Sequence, residues 1–363
     1  MAENFKHSDL LVAIHGSYFC DNFGDTYLLN LTSKLVHKIV GKKVFLAIEG
    51  NIKEQNDIGI PILEPKARAK VTHLIYGPGG YFGEPFDSED RYLNKQWTIR
   101  NYDRHFSWAN DFKNAKILVF GLEVGPISDS QYLDSVRKLF SKSYFNIVRN
   151  SESFEFCNTH NFDMSNIFEG CDLALIKPSI MPIDCSVKEN IIILHLAGLS
   201  SEKKDMILSL VVKNFKNFKI NIISDNSGGN DDLYDLYRIT STKFNLENIK
   251  IIKYSKCEDL IKLLTKSKIV ITTKLHVGII GIMNNLKVIS IPLHQKIPRF
   301  YKQVKLSEFC IPPALLDCNS LLNALKNPIY NPSFLQANMR LSKMIEILNN
   351  FLLIKAAGCI ESK

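Results

Sequence analysis

The sequence predicts an α/β protein made of two Rossmann-like domains. Short apolar runs rich in β-branched residues alternate with helical patterns along the whole chain, which is typical of parallel sheets with crossover helices. The 363 residues are more than most single domains contain. The pattern is interrupted at about 177–189 by prolines and polar residues, as in a linker. We therefore predict a first domain over residues 1–180 and a second over 181–363.

Both halves contain a series of short runs that we interpret as buried strands. The predicted strands are Leu10–Ile14, Lys43–Ile48, Val71–Tyr76, Ala115–Gly121 and Phe145–Val148 in the first half, and 190–197, 218–224, 249–254, 268–273 and 286–292 in the second. Helices are predicted at about Thr26–Ile39, Ser128–Ser141 and Ser333–Ala357. The segment 86–110, rich in aromatic residues, is predicted to be a long and partly helical connection.

Composition and charge narrow the range of possible ligands. Hydrophobic residues make up 45% and charged residues 23%, as in an ordinary globular chain. Residues 1–180 hold 20 basic and 22 acidic side chains, whereas residues 181–363 hold 25 and 15. A basic second half suggests an anionic ligand or surface, such as a small phosphorylated molecule or phospholipid headgroups. Nucleic acid is not expected, because basic clusters interleaved with aromatic residues and helix-turn-helix patterns are absent from the sequence.

The sequence shows no sign of a membrane span or of a metal site. No apolar run approaches the roughly 20 residues that a span needs, so we expect a cytoplasmic protein unless a partner carries it elsewhere. The eight cysteines are scattered without a CxxC pair, which predicts reduced core residues and no zinc site. The acidic segment 225–235 lacks the ligand spacing of an EF-hand, and we interpret it as a solvated surface loop.

The stretch from Lys268 to Arg299 looks built to hold an anion. A buried strand ends at the charged tip Lys274-Leu275-His276, a short helix follows, and a second buried strand leads to His294, Lys296 and Arg299. Ligands of open parallel sheets bind beyond the carboxyl ends of the strands. Because cations follow both strands, we expect an anion-binding site at this edge.

Polar loops follow several strands of the first half as well. Asn22, Gly24 and Asp25 precede a helix, whose free N–H groups attract anions, although the same residues suit an ordinary capped loop. Arg149 follows a buried strand and is placed either for a bidentate contact to carboxylate or phosphate or for a salt bridge to Glu152 or Glu155.

Taken together, these motifs resemble the polysaccharide pyruvyltransferase family. The resemblance runs from Asn22 to Lys296. Its elements are the Asn-x-Gly-Asp loop at 22–25, the glycine-rich turn with Gly79 and Gly80, the Gly-x-Gly-x-Gly-Pro type turn at 121–126, the Arg-x-x-x-Ser at 149–153, the Lys-x-His tip at 274–276, and Lys296. Lys274 stands where the family usually has Arg, and Glu123 where it has a small residue.

The resemblance implies a glycosyltransferase-B-like architecture, in which two Rossmann-like domains face a cleft and the terminal helix at 333–357 packs back on the first domain. It also implies transfer of pyruvyl from phosphoenolpyruvate to two hydroxyls of a sugar, giving a ketal and phosphate, with no metal and no cofactor besides the donor. The acceptor would be a saccharide of a capsule or other exopolysaccharide, in the polymer or in a lipid-linked precursor. Such a precursor would bring the protein to the inner face of the membrane.

The resemblance and the chemistry assign roles to particular residues. The donor would be bound by cationic side chains and by backbone that comes close to it. The cationic side chains are Arg149, Lys274, Lys296 and Arg299, and the loop residues are Asn22, Gly24, Gly79 and Gly80. His276 is the expected general acid, with Asp25 or Glu123 as the base. His195 and His294 are weaker candidates. Two alternatives remain open: a nucleotide-sugar glycosyltransferase of the same architecture, and a degenerate relative without activity, since Lys274 and Glu123 depart from the family pattern.

Overall fold

The structure, a computed structural model, describes residues 10–19, 22–41, 43–48, 58–84, 91–176, 187–226, 233, 236, 238–240, 246–327 and 333–354. Its strands are β1 (Val12–His15), β2 (Phe45–Leu46), β3 (His73–Tyr76), β4 (Gly79–Phe82), β5 (Lys116–Val124), β6 (Phe145–Val148), β7 (Ile167–Glu169), β8 (Ile191–His195), β9 (Lys219–Ile223), β10 (Ile249–Ile252), β11 (Ile269–Thr272) and β12 (Lys287–Ser290). Its longer helices are α1 (Phe23–Val40), α2 (Arg91–His105), α3 (Ser130–Lys142), α4 (Ser151–Thr159), α5 (Ser201–Asn214), α6 (Cys257–Lys266), α7 (Leu275–Met283), α8 (Lys296–Gln303), α9 (Cys318–Lys326) and α10 (Leu335–Leu352).

The strands form two parallel sheets, which confirms the predicted α/β class. The first sheet has the order β2-β1-β3-β5-β6-β7, with β4 paired to β5 off this path. The second sheet has the order β10-β9-β8-β11-β12. Strands such as β1, β3, β8 and β11 are buried along their whole length. Burial on both faces explains why they appear in the sequence as continuous apolar runs.

The described residues divide into two compact units. The first unit contains those within 1–20, 28–173 and 337–363, and the second those within 21–27 and 174–336. Residues 22–27, which the sequence analysis included in the first domain, therefore belong to the second unit. They are held there by backbone bonding, since Asn22 forms a β-bridge with Asn226 and the Phe23 N–H donates to the Asp225 carbonyl at 2.8 Å.

All ten predicted strands are present, with ends that differ by a few residues, but two further strands were not predicted. The first is β4, which lies within the glycine-rich segment expected to be a loop, and the second is β7. The turn predicted after Gly121 is also wrong, because β5 continues to Val124. The register shifts at this point, and Gly121 has a φ of +71° that accommodates a bulge.

The crossover helix α7 packs tightly between β11 and β12 in the second unit. A side-chain carbon added to Gly281 would lie 2.6 Å from Cγ2 of Val288, too close for any other residue at this position. The paired glycines of the sequence motif, Gly278 and Gly281, thus let the helix approach the sheet. This packing fixes the start of α7, and with it the charged tip, at the carboxyl end of β11.

The terminal helix α10 buries one face, as its apolar spacing predicts. From Ala337 onward its residues group with the first unit, where the Cys171 N–H donates to Sδ of Met344 at 3.3 Å and the rings of His73 and Phe351 meet edge to face. The predicted helix end at 355–357 and Gly358 lie outside the described residues.

Three of the described cysteines, Cys157, Cys171 and Cys257, are buried as predicted, Cys310 is half-buried, and Cys318 is exposed. The core prediction is wrong for Cys318, which occupies the first turn of α9. Cys20, Cys185 and Cys359 lie outside the described part of the chain. Among the described helices none is both long and apolar enough to cross a membrane.

Candidate active site

A pocket of about 340 Å³ opens at the carboxyl edge of the second sheet. Its walls come from the segments that follow β8, β9 and β11 and from the start of α8. The ionisable side chains along these walls are His195, Asp225, Lys274, His294 and Lys296. The cations that the sequence places after neighbouring strands therefore meet at one site, as expected for parallel strands.

Lys274 caps the N-terminus of α7 and reaches the pocket. Its backbone N–H donates to Oγ1 of Thr272 at 2.9 Å, which fixes the turn between β11 and the helix. Its Nζ lies 3.2 Å from Oδ2 of Asp225, and 35% of the Lys274 side chain is exposed. The ammonium is thus anchored on one side and accessible on the other.

Asp225 is a site residue that the sequence reasoning missed. The interpretation of segment 225–235 as solvated is wrong at Asp225, which is only 4% exposed; residues 227–232, 234 and 235 lie outside the described range. Burial by itself would raise the pKa of Asp225, but the charges and hydrogen bonds of His195 and Lys274 outweigh burial and hold that pKa well below its usual range. A signal was available, because Asp225 directly follows a predicted strand at the edge where the cations lie.

His195 is completely buried at the end of β8 and connects two strands. Its Nδ1 lies 3.3 Å from Oγ1 of Thr273, and its Nε2 lies 3.1 Å from Oδ1 of Asp225. The sequence names His195 only as a weaker candidate. The structure makes it a buried support for Asp225 that also lines the pocket.

The Asn-x-Gly-Asp loop lies at the same site, at the start of α1. Oδ1 of Asn22 accepts from the N–H groups of Gly24, at 2.9 Å, and Asp25, at 3.4 Å. The Asn22 side chain therefore binds two of the N–H groups at the start of α1 that were expected to attract an anion. Gly24 has a steric role, since a side-chain carbon there would overlap Nδ1 of His276. The loop thus lies directly against the His276 ring.

Asp25 has an electrostatic environment suited to proton transfer. Burial raises the pKa of its carboxyl, and the positive charges of Lys296, His276 and Lys274 offset only part of that rise, while the negative charge of Asp225 adds to it. A carboxyl with a raised pKa exchanges protons closer to neutral pH than an ordinary aspartate does.

The two remaining cations that the sequence analysis assigned to the donor lie along α8. Lys296 is the first residue of this helix and lines the pocket. Arg299 lies one turn further on, where its Nη2 donates to Oε1 of Gln295 at 3.2 Å in an exposed contact. Lys296 is therefore the better placed of the two predicted anion contacts.

Two of the predicted site residues of the first unit, Glu123 and Arg149, form a buried cluster with Asp172. Nη2 of Arg149 is paired with Oε2 of Glu123, and its Nη1 lies 3.5 Å from Oδ2 of Asp172. Gly80, on β4, is next to this pair, because a side-chain carbon there would lie 3.5 Å from the Glu123 carboxylate. Glu123 and Asp172 are thus partners of Arg149 that the sequence analysis did not expect. With two carboxylates and one guanidinium, the cluster is net acidic in its ionised form, unlike the pocket of the second unit.

The fold is of the glycosyltransferase-B type. Similar structures include the UDP-GlcNAc 2-epimerase of Methanocaldococcus jannaschii (TM-score 0.54, 11% identity, covering 94% of this chain and 99% of that chain). The UDP-N-acetylglucosamine 2-epimerase of Rickettsia bellii (0.57, 12%, 94% and 97%) and a glycosyltransferase of Rickettsia africae (0.51, 14%, 95% and 93%) are also similar. At these identities the likeness establishes the fold alone.

The family is established by sequence. The profile described as "Polysaccharide pyruvyl transferase" matches residues 22–295, well over half of the chain. The chain belongs to the polysaccharide pyruvyl transferase family, which confirms the resemblance found in its motifs. No curated protein sequence matches it significantly.

Proposed function

We propose that the protein transfers the pyruvyl group of phosphoenolpyruvate onto a sugar of a surface polysaccharide or of its lipid-linked precursor, forming a ketal and releasing phosphate. The observation that carries the proposal is the gathering of Lys274, Lys296, His276 and Asp25 in one unit of a chain that belongs to this family. Two ammonium groups, an imidazole and a carboxyl with a raised pKa are the groups that such a transfer needs.

The pocket suits a small, highly charged donor. Phosphoenolpyruvate carries a carboxylate and a phosphate, and both are stabilised by cations fixed at the edge of a low-dielectric core. Lys274 and Lys296 line the pocket, whose volume of about 340 Å³ is in the lower range of small-ligand sites. Burial of the surrounding strand ends strengthens each of these charge interactions.

The His276 imidazole and the Asp25 carboxyl are assigned to proton transfer. A proton from His276 to the donor methylene turns it into a methyl group and leaves C2 cationic. A sugar hydroxyl then bonds to C2, and a second hydroxyl displaces the phosphate, so that two C–O bonds to sugar replace the C=C π bond and the C–O bond to phosphate. The hydroxyl protons pass to the base and to the departing phosphate. We assign the base to Asp25 rather than Glu123, because the Glu123 carboxylate is already paired with Arg149.

A lipid-linked acceptor would place the reaction at a membrane surface. The basic second half of the chain, with 25 basic and 15 acidic residues, supports a peripheral contact with anionic headgroups. Such a contact is screened by salt. We expect sedimentation with vesicles of 30% phosphatidylserine at 20 mM salt, and release at 500 mM. Recovery in the supernatant at both salt concentrations would overturn the membrane contact without affecting the transfer chemistry.

The donor is tested by calorimetric titration with phosphoenolpyruvate, UDP-GlcNAc, GDP-mannose and CMP-sialic acid. We expect binding of phosphoenolpyruvate, weakened about tenfold or more in Lys296→Ala through loss of one charge-assisted contact. Lys302→Ala, which removes an exposed lysine on the same helix, is the matched control and should bind like the wild type.

A second function, that of a nucleotide-sugar glycosyltransferase, is compatible with the structural neighbours, several of which are enzymes named for UDP-GlcNAc. If only a sugar nucleotide binds, the protein is a nucleotide-sugar enzyme and the pyruvyl proposal fails. If none of the ligands binds in the presence or absence of candidate saccharides, the protein is a degenerate relative without activity. Phosphate release from phosphoenolpyruvate that depends on an added saccharide would identify the acceptor class.

A further inference from the structure

Asp225 joins three segments that the sequence keeps far apart. Its Oδ1 lies 3.1 Å from Nε2 of His195, its Oδ2 lies 3.2 Å from Nζ of Lys274, and its backbone carbonyl accepts from the N–H of Phe23 at 2.8 Å. These partners come from the end of β8, the cap of α7 and the first residue of α1. A single buried aspartate thus connects the lysine of the pocket with the helix that carries Asp25.

Both ring nitrogens of His195 have hydrogen-bonding partners. Oγ1 of Thr273 donates its only hydrogen to the Ala197 carbonyl at 2.8 Å, so it can only accept from Nδ1 of His195. On the other side, an ionised Asp225 carboxylate can only accept from Nε2. His195 and Lys274 therefore approach the Asp225 carboxylate from two sides.

Lys274 gains a fixed direction from this arrangement. Its side chain is 35% exposed, whereas the Asp225 side chain is 6% exposed, so the ion pair has one anchored end and one accessible end. An ammonium has three N–H groups, and Asp225 occupies one of them. The other two are available to an anion in the pocket that Lys274 lines.

We propose that Asp225 is a positioning residue, which aims the Lys274 ammonium at the anionic donor and is itself fixed by its contact with His195. The inference rests on the proposed function, because it assigns the donor anion to the same pocket. A long lysine side chain loses considerable rotamer freedom when it binds a ligand. The Asp225 carboxylate removes most of this freedom in advance, which favours binding even though its charge opposes that of the donor.

The test is a double-mutant cycle on phosphoenolpyruvate affinity, measured by calorimetry for wild type, Asp225→Asn, Lys274→Ala and the double variant. We expect Asp225→Asn to weaken binding about tenfold in the wild-type background. In the Lys274→Ala background the same change is expected to leave the affinity within about twofold or to tighten it, because there is no ammonium to position. Glu258→Gln, an exposed acid on α6, is the control and should match the wild type.

The outcomes separate the two proposals. Equal losses of affinity in both backgrounds would mean that Asp225 has a structural role. No loss of affinity in the wild-type background would mean that Asp225 does not orient Lys274. Either result overturns the inference while the donor assignment stands. A wild-type protein that does not bind phosphoenolpyruvate overturns both. If Asp225→Asn does not fold, Asp225→Glu replaces it in the cycle. This variant keeps the charge but moves the carboxylate, so a smaller loss, again confined to the wild-type background, is expected.

Discussion

Arg149 and Glu123 form an ion pair at the carboxyl ends of two adjacent strands of the first sheet, with side chains only 4% and 6% exposed. Asp172 approaches the same guanidinium from a third segment. A buried carboxylate is tolerated only with a partner, because removal from water costs more than an exposed ion pair returns. The first structural role of Arg149 is therefore to hold two carboxylates inside the first unit.

We predict that Arg149→Ala lowers the free energy of unfolding by about 3–5 kcal/mol, because it leaves buried carboxylates without a counter-charge. Urea denaturation at pH 7 measures the loss. Lys343→Ala, which breaks an exposed pair with Glu346, is the control and should change stability by less than about 1 kcal/mol. A loss below about 1 kcal/mol in Arg149→Ala would show that the buried pair contributes little.

Stability is predicted to fall as the pH drops from 7 to 5. Burial lowers the pKa of His73 to about 4 and that of His105 to about 3, and burial above all lowers the pKa of His15 well below its usual value. In the unfolded chain these histidines take up protons near pH 6.5, whereas in the folded chain they stay neutral. The unfolded state thus binds more protons in this window, and acid favours it.

The slope of this dependence can be measured. Each histidine whose pKa is fully depressed should contribute up to about 1.4 kcal/mol per pH unit below its unfolded pKa. Urea titrations at pH 7, 6 and 5 give the slope, and His105→Gln, which cannot take up a proton, should reduce it. A stability that does not change between pH 7 and 5 would contradict the depressed pKa values of these buried rings.

The lysine that replaces the usual arginine is predicted to retain donor binding. Lys274→Ala should weaken phosphoenolpyruvate binding at least about tenfold, through loss of a charge-assisted contact. Lys274→Arg should keep it or strengthen it, because guanidinium can bind Asp225 and the donor through different N–H groups. Calorimetric titration of both variants measures this, and equal losses in the two would refute an electrostatic role for position 274.

His276 is predicted to act in proton transfer rather than in binding. His276→Gln should lower kcat by about 100-fold or more while the dissociation constant for phosphoenolpyruvate changes by less than about threefold. Acceptor-dependent phosphate release and calorimetry give the two values separately. His37→Gln, an exposed histidine on α1, should leave both unchanged. If binding falls as much as turnover, His276 is a ligand contact and the acid lies elsewhere.

Much of the fold could be predicted because it depends on local patterns. The apolar runs at 191–195 and 269–272 are buried on both faces of a parallel sheet, so their composition alone identifies them as strands. The same rule places Lys274 and the segment before Lys296 at one edge, since parallel strands end together. The strands β4 and β7 could not be found in this way, because β4 is half glycine and β7 has three residues.

The sequence by itself determined the α/β class, the family and the basic edge of the second sheet, because periodicity, motif order and strand polarity are written along the chain. Only the tertiary structure decided that Arg149 pairs with Glu123, that Asp225 is buried between His195 and Lys274, and that Gly24 lies against His276. In each case but the first the partners lie 30 or more residues apart. Which charges meet, and how far water is excluded from them, depends on packing between distant segments, and a one-dimensional pattern does not specify that packing.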